Sequence, residues 1–264
     1  MGCITLLSDF GLADASVASA KGILMQYSPQ AQLVDISHQV EPFHLQQAAY
    51  LLLSAYNSFA PGTCHILLLD IFSERSPTML LCEINNHYFI APDNGILSLA
   101  FGRGIDKVWK CAELPEGTEV KEWLHEAGKI AAALQHKNAT ELGYTSCELK
   151  IAPQHWQPKV EPNTVECQVI HIDRFENVVI NLTREQFERI GRHRPFRIRF
   201  MRDEEITEIS THYYNVKQGE KLCRFNSTGY LEIAINRGKA ASLFGLKLQR
   251  EKHLIYNTIK IYFE

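Results

Sequence analysis

The sequence predicts an α/β fold in two parts: an N-terminal doubly wound, mostly parallel sheet domain, then a smaller C-terminal β-barrel or sandwich domain. Three observations predict it. Apolar runs of strand length alternate with helical periodicity over the first 150 residues, the pattern of βαβ units. Leu67, Leu68 and Leu69 form a continuous apolar run, as in a strand covered on both faces. Beyond a stretch carrying Pro153, Pro158 and Pro162, short alternating strands take over.

In chain order, Cys3 to Leu7 reads as a strand, Ser16 to Tyr27 as a helix and Leu33 to Ile36 as a strand. A helix through His44 to Ser58 follows, and then the strand HILLLD, His65 to Asp70. Met79 to Ile84 and Tyr88 to Ile90 are two further strands joined at Asn85-Asn86-His87, a hairpin turn. After Pro92-Asp93-Asn94-Gly95 come a short helix, a Gly- and charge-rich connection, and an amphipathic helix near Glu122 to Gln135. Residues 1–152 are thus one domain, 153–163 an extended proline-bearing linker, and 164–264 the second domain. The latter's strands read as ECQVIHID, NVVINL, FRIRFM, KLCRFN, LEIAIN, LKLQRE and IKIYFE, with short helices near Arg184 to Ile190 and Lys239 to Phe244.

Charge divides the same way. Residues 1–153 hold 9 Lys and Arg against 16 Asp and Glu, a balance of −7, and residues 154–264 hold 18 against 14, a balance of +4. Seven arginines fall between Arg184 and Arg202, but Arg197-Ile198-Arg199-Phe200 alternates like a half-exposed strand. A solvated strand face or a subunit contact therefore explains the cluster better than nucleic-acid binding. No run reaches the ~18 apolar residues of a membrane span, and the start lacks the basic and apolar regions of a secretory signal, so a cytoplasmic protein with no membrane partner is expected. The seven cysteines are scattered singly with no CxxC pair, which argues against a disulfide framework and a zinc site alike. The sequons at Asn138, Asn181 and Asn226 carry no weight in such a chain.

In parallel sheets, ligands bind beyond the carboxyl ends of the strands, where Asp9, Asp14, Asp35, Asp70 and Asp93 should emerge. A carboxylate there can accept two hydrogen bonds from a vicinal diol, and a second at a helix start can hold a cationic amine; Asp9 and Asp14 suit that division. The plainer reading is that Asp14 caps the following helix while Asp9 satisfies turn donors. The triplet Asp9-Phe10-Gly11 is not a kinase signature, because no Gly-rich loop or HRD precedes it.

The blocks ITLLSDFGLADASVASAKGIL, VDISHQV with PFHLQQAA, FAPGTCHILLLD, APDNGILS, HIDRFENVVINL and FNSTGYLEIAINRGKAA together resemble the S-adenosylmethionine hydroxide adenosyltransferases, related to the fluorinases and chlorinases. The resemblance implies an α/β domain and a smaller β domain in a homotrimer, with the ligand between the C-terminal domain of one subunit and the N-terminal domain of its neighbour. It also implies cleavage of S-adenosylmethionine to adenosine and methionine by water or hydroxide, or halide attack at C5′. S-adenosylmethionine would be the substrate, with no other cofactor and no metal.

By the resemblance, Asp9 binds the ribose diol and Asp14 the methionine ammonium. Asp173, Phe175 and Asn177 of HIDRFEN contact adenine and the methionine end, while Asn226, Ser227, Asn236 and Arg237 supply the remaining nucleoside and carboxylate contacts. Phe175 by itself also reads as a core aromatic. The sequence departs from the family at the DPGVGT-like segment, here Asp70-Ile71-Phe72-Ser73-Glu74-Arg75, and at the HGRD-like block, here Leu124-His125-Glu126-Ala127-Gly128. Asp70, Arg75 and His125 are the expected catalytic set, with His125 a helix-surface residue and Arg75 a solvated loop cation on the plainer reading. The altered segments leave a second reading open, a diverged protein that binds S-adenosylmethionine or adenosine without turnover. A halide reaction is less favoured, since nothing in the sequence is suited to stripping a halide of water.

Overall fold

The computed structural model describes residues 2–102, 105, 107–153, 156–201, 204–248 and 258–264, and the chain divides into two compact units, Met1–Ala152 and Pro153–Glu264.

In the first unit, β1 (Cys3–Ser8), α1 (Ser16–Tyr27), β2 (Gln32–Ser37), α2 (Leu45–Ala55) and β3 (Cys64–Leu68) follow the expected alternation. Next come β4 (Thr78–Ile84), β5 (His87–Pro92), α3 (Ile96–Phe101), β6 (Val108–Glu113), α4 (Val120–Ala133) and β7 (Thr145–Ser146). One sheet runs β2-β1-β3-β5-β4-β6-β7. It is parallel from β2 through β5 and antiparallel from there to β7. Strand β6 was expected as connection: its pattern fades from buried to exposed along VWKCAE, which leaves little apolar period to read. The β4–β5 hairpin turns on Asn85 and Asn86, with φ of 52° and 63°, the left-handed pair that Asn tolerates.

Helices cover both faces of the sheet. Ile4, Leu6, Ile66, Leu68 and Leu81 point to one face and pack beneath Ile23 and Leu24 of α1 and Trp123 and Leu124 of α4. Gly128 of α4 lets the two helices close up, because a Cβ there would lie 2.6 Å from the Tyr27 ring. The alternate residues face α2 and α3 and include a buried polar chain: Thr5 Oγ1 lies 2.7 Å from His65 Nδ1, and His65 Nε2 lies 3.1 Å from His87 Nδ1. Tyr56 and Phe89 pack against both imidazoles or the His65 ring. Burial, then His87, pushes the His65 pKa down to about 3, so the pair is neutral in the fold.

The second unit is a sandwich of two antiparallel sheets rather than a closed barrel. Strands β8 (Lys159–Glu161), β9 (Thr164–Cys167), β12 (Phe196–Met201), β13 (Glu204–Ile206) and β16 (Ile259–Phe263) form one sheet, in the order β13-β12-β16-β9-β8. Strands β10 (Val169–Ile172), β11 (Val178–Thr183), β14 (Lys221–Phe225) and β15 (Tyr230–Ile235) form the other, in the order β10-β11-β15-β14. Val165, Val178, Ile198, Cys223, Ile233 and Ile261 from both sheets meet in one core. The expected strand ECQVIHID is two: the chain changes sheet at Gln168, whose N–H donates to Asn181 Oδ1 at 2.8 Å and whose carbonyl accepts from Asn181 N at 3.0 Å.

Within 153–163, expected as linker, Lys159–Glu161 is paired with β9, while 154 and 155 lie outside the described residues. Leu246 to Leu248 of the expected strand LKLQRE is not in a strand, and 249–251 lie outside the described residues. In β12, Ile198 and Phe200 are buried and Arg197 and Arg199 exposed, with ion pairs to Glu264 and Glu205; the solvated-face reading of these arginines holds. The helices α5 (Arg184–Gly191) and α6 (Ala240–Phe244) complete the unit. No described helix is long and apolar enough to cross a membrane. All seven cysteines are free, four of them buried.

Candidate active site

Two surfaces carry the expected residues, one on each unit. On the first, β1 ends at Ser8 and delivers Asp9 to the rim, where its Oδ2 accepts from Phe43 N at 2.9 Å. Gly11, with φ of 71°, then turns the chain, its N–H donating to the His38 carbonyl at 2.7 Å. Asp14 is exposed at the head of α1, where its Oδ1 accepts from Ser16 N at 2.8 Å. That bond holds its carboxyl below the usual carboxylate range. Asp14 thus bonds the first backbone N–H of α1 without being its N-cap residue, and Asp9 accepts from a distant loop rather than from its own turn.

Behind them the buried Ser8 and His38, which the sequence did not single out, form a brace with the exposed Asp35. Ser8 Oγ is 2.6 Å from His38 Nδ1 and accepts from Phe10 N at 3.4 Å. His38 Nε2 stands 3.0 Å from Asp35 Oδ1, outside hydrogen-bond alignment, and Asp35 pairs with Lys21 at 2.6 Å. Burial raises the Asp35 pKa, but Lys21 and His38 outweigh it and hold the carboxyl low. Asp35 therefore serves this brace and not an open pocket. The signal for His38 was present in the SHQV block; what hid it is that a lone His between strands is most often core.

Asp70 follows β3 with φ of 45°, a strained conformation for a non-glycine residue and one that clusters at functional sites. Asn94 clamps it: its Nδ2 donates to the carbonyls of Leu69 at 2.8 Å and Asp70 at 3.3 Å, while its Oδ1 accepts from Ile96 N at 3.2 Å. Asn94 thus ties the ends of β3 and β5 to α3. Asp93 points elsewhere, accepting from Lys150 N at 3.0 Å.

The expected trio of Asp70, Arg75 and His125 is not gathered. Arg75 has a side chain 88% exposed and pairs with Glu116 at 3.7 Å, a solvated loop cation on the segment after Asp70. His125 Nδ1 is 3.0 Å from the Tyr27 hydroxyl, with the rings edge to face. Tyr27 is the last residue of α1, whose twelve residues run ~18 Å away from the rim. His125 therefore belongs to the α1–α4 seam, its imidazole facing Tyr27.

On the second unit, a cleft of ≈ 1210 Å³ is lined by Asp173, Phe175, Asn177, Tyr213, Asn236 and Arg237, among others. Asp173 is used within its own turn: Oδ1 accepts from Phe175 N and Asn177 N at 2.9 and 2.8 Å, and Oδ2 from Asn177 Nδ2 at 2.9 Å. The turn thrusts Phe175 outward, 74% exposed, so its reading as a core aromatic fails. Asn236 Nδ2 donates to the Val216 carbonyl at 2.8 Å, and Arg237 follows with φ of 56°. Tyr213 walls the cleft by giving its hydroxyl to the buried Glu232 at 2.6 Å, with Arg224 stacked on its ring. Burial, then Glu232, raises the Tyr213 pKa to about 12, and burial raises that of Glu232.

Asn226 and Ser227 stand apart from this cleft. They form the β14–β15 turn, with Asn226 Oδ1 accepting from Thr228 N and Tyr230 N, both at 3.1 Å. Because β15 spans Tyr230–Ile235, that turn and the Asn236-Arg237 pair lie at opposite ends of the strand. Among the described residues, no group of three or more His, Cys, Asp or Glu could hold a metal ion.

A two-domain α/β and β-sandwich protein, with acids at a parallel-sheet rim and an aromatic-walled cleft on the sandwich, is the class these features define. Residues 4–142 match the N-terminal domain and residues 167–252 the C-terminal domain of the SAM hydroxide adenosyltransferases, and the chain belongs to that family. It is 28% identical to an (R)-S-adenosyl-L-methionine hydrolase of Methanocaldococcus jannaschii, covering 96% of this chain and 95% of that one. A protein of the same name from Salinispora tropica is 25% identical, covering 92% and 94%. A fluorinase from an Actinoplanes species is 23% identical, also covering 92% and 94%. A crystal structure of an uncharacterized conserved protein from Thermotoga maritima matches with a TM-score of 0.76 at 25% identity, over 99% of this chain and all of that one.

Proposed function

We propose that the protein hydrolyses S-adenosyl-L-methionine to adenosine and L-methionine. Water attacks the ribose C5′ as the C5′–S bond breaks, the sulfonium leaves as the neutral thioether of methionine, and the water's surplus proton passes to solvent. Because the leaving group is uncharged, no acid is needed on its side, and catalysis rests on holding nucleophile and sulfonium in line. No cofactor beyond the substrate enters this scheme.

Asp9 takes the ribose diol and Asp14 the methionine ammonium, each through oxygens left open beyond its backbone bond. Phe175 gives the adenine a stacking face, with Asn177, Asn236 and Arg237 around it and Asp173 holding the turn. Asp70 orients the water, and Arg75, on the same exposed loop, is the cation that joins it when substrate fills the rim. His125, Asn226 and Ser227 serve the fold. The chain acts as a cytoplasmic homotrimer in which the rim of one subunit and the sandwich cleft of its neighbour make one site. The observation that carries this reading is the Asp9–Gly11–Asp14 turn, in a chain whose two parts both match the same family. Over most of the chain, the higher identity to hydrolases than to the Actinoplanes fluorinase favours water over halide.

One observation favours a binding protein instead: Arg75 and His125 each pair away from Asp70. Incubating the purified protein with S-adenosylmethionine and following adenosine and methionine by chromatography separates the two. Stoichiometric products, lost in Asp70→Ala, support hydrolysis; tight binding without product supports the alternative.

A further inference from the structure

Glu176 is the fourth residue of the Asp173–Asn177 turn, with φ of 63°, a left-handed conformation that glycine adopts at less cost. What a glycine lacks is the side chain, and here the side chain is fully engaged. Its Oε2 accepts from Ser242 N at 3.0 Å, and its Oε1 pairs with Lys239 Nζ at 2.8 Å. The Glu176 carbonyl also accepts from Ala241 N at 3.0 Å. Backbone and carboxylate together bind the turn to the first residues of α6. Lys239, then Ser242, holds the carboxyl down to about 2, so the bridge stays charged at any working pH.

The two segments so joined carry the most exposed apolar groups of the cleft. Phe175, the neighbour of Glu176, is 74% exposed, and Leu243, the neighbour of Ser242, is 66% exposed; both line the same cavity. An unbridged turn would let Phe175 move independently of α6, and a stacking face that must be ordered on binding weakens affinity.

We infer that Glu176 is a positioning residue that fixes Phe175 against Leu243, and so sets affinity for the nucleoside base without touching the substrate. The inference rests on the proposed reading of the cleft and adds to it a determinant of base recognition. It predicts a division of effects, because the proposed reading sets Phe175 against the base and Asp14 against the methionine ammonium.

The test is calorimetry with adenosine and with L-methionine, alongside kinetics with S-adenosylmethionine, on the wild type, Glu176→Gly, Glu176→Gln and Lys239→Ala. Glu176→Gly removes the bridge while relieving the backbone, so loss of folding does not obscure it, and Lys239→Ala breaks the ion pair from the other side. For Glu176→Gly, adenosine Kd and substrate KM should rise about tenfold, with kcat within about twofold and methionine affinity unchanged. Glu176→Gln, which keeps an acceptor for Ser242, and Lys239→Ala should fall between. Wild-type adenosine affinity and KM in Glu176→Gly, or a fall in kcat at constant KM, would overturn the inference and leave the hydrolase reading standing. A wild-type protein that neither binds adenosine nor cleaves S-adenosylmethionine would overturn both.

Discussion

The rim of the first unit and the cleft of the second are built on opposite plans. At the rim, the partly exposed Asp9 and the exposed Asp14 each accept one backbone bond, with acceptor capacity to spare. In the cleft, beside the exposed Arg174, Arg237 and Lys239, two polar groups are turned inward. Asp173 accepts three bonds inside its own turn and Tyr213 gives its hydroxyl to Glu232, while an aromatic ring is turned out. One surface offers carboxylates and the other an exposed aromatic ring. The proposed reading assigns the sugar diol and the ammonium to the first and the flat base to the second.

The largest effect should come from the carboxylate side. On the proposed reading Asp9→Ala removes the carboxylate that takes the ribose diol, and kcat/KM should fall about 10³-fold, on the order of 4 kcal/mol, with adenosine affinity falling alongside. If adenosine affinity survives, the division between carboxylates and ring is misdrawn.

Acid should next separate the two units. The folded pKa of His65, about 3, lies below the unfolded value near 6.5, so between these the unfolded chain holds a proton the folded one lacks. Stability of the first unit is therefore lost as pH falls, on the order of 3 kcal/mol by pH 4. The Glu232 pKa is raised by burial, which has the reverse sign: in its window the folded sandwich holds the extra proton. Hydrogen exchange measured between pH 7 and pH 4 should show the first unit opening before the second, and Thr5→Val, which removes a His65 partner, should shift that opening.

Phe175→Ala sharpens the aromatic side. Loss of base stacking should raise KM about 30-fold, roughly 2 kcal/mol, with little change in thermal stability, since the ring is mostly exposed. The smallest activity effect is expected at His125. His125→Ala should lower stability by about 1 kcal/mol through its lost bond to Tyr27 and leave kcat within about threefold; a hundredfold loss would return it to the catalytic set.

The alternation of elements was legible because period and punctuation agree: α1 runs from Ser16 to Tyr27 as its apolar spacing predicts, and the Asn85-Asn86 turn announces its hairpin. Strand β6 and the break at Gln168 were not legible, since the first has a fading pattern and the second depends on Asn181, thirteen residues away in sequence. Residues at the ends of strands could be proposed from position alone, as Asp9 and Asp70 were. Convergence could not. Whether His125 meets Asp70 or Tyr27 depends on how α4 packs on α1, where Gly128 permits a contact that no motif records. Likewise Asn226 and Asn236 look equivalent in sequence, yet β15 sends them to opposite ends of the sheet.

The central claim is that one subunit's rim and another's cleft make a single site. Co-expressing Asp9→Ala and Phe175→Ala chains and assaying adenosine release from the mixed oligomers tests it most directly. If sites form between subunits, random mixing restores an intact rim and an intact cleft at about a quarter of sites, and with substrate held well below KM activity should rise several-fold above Phe175→Ala, the more active parent. If the mixture is no more active than its two parents, each chain completes its own site and the account is wrong.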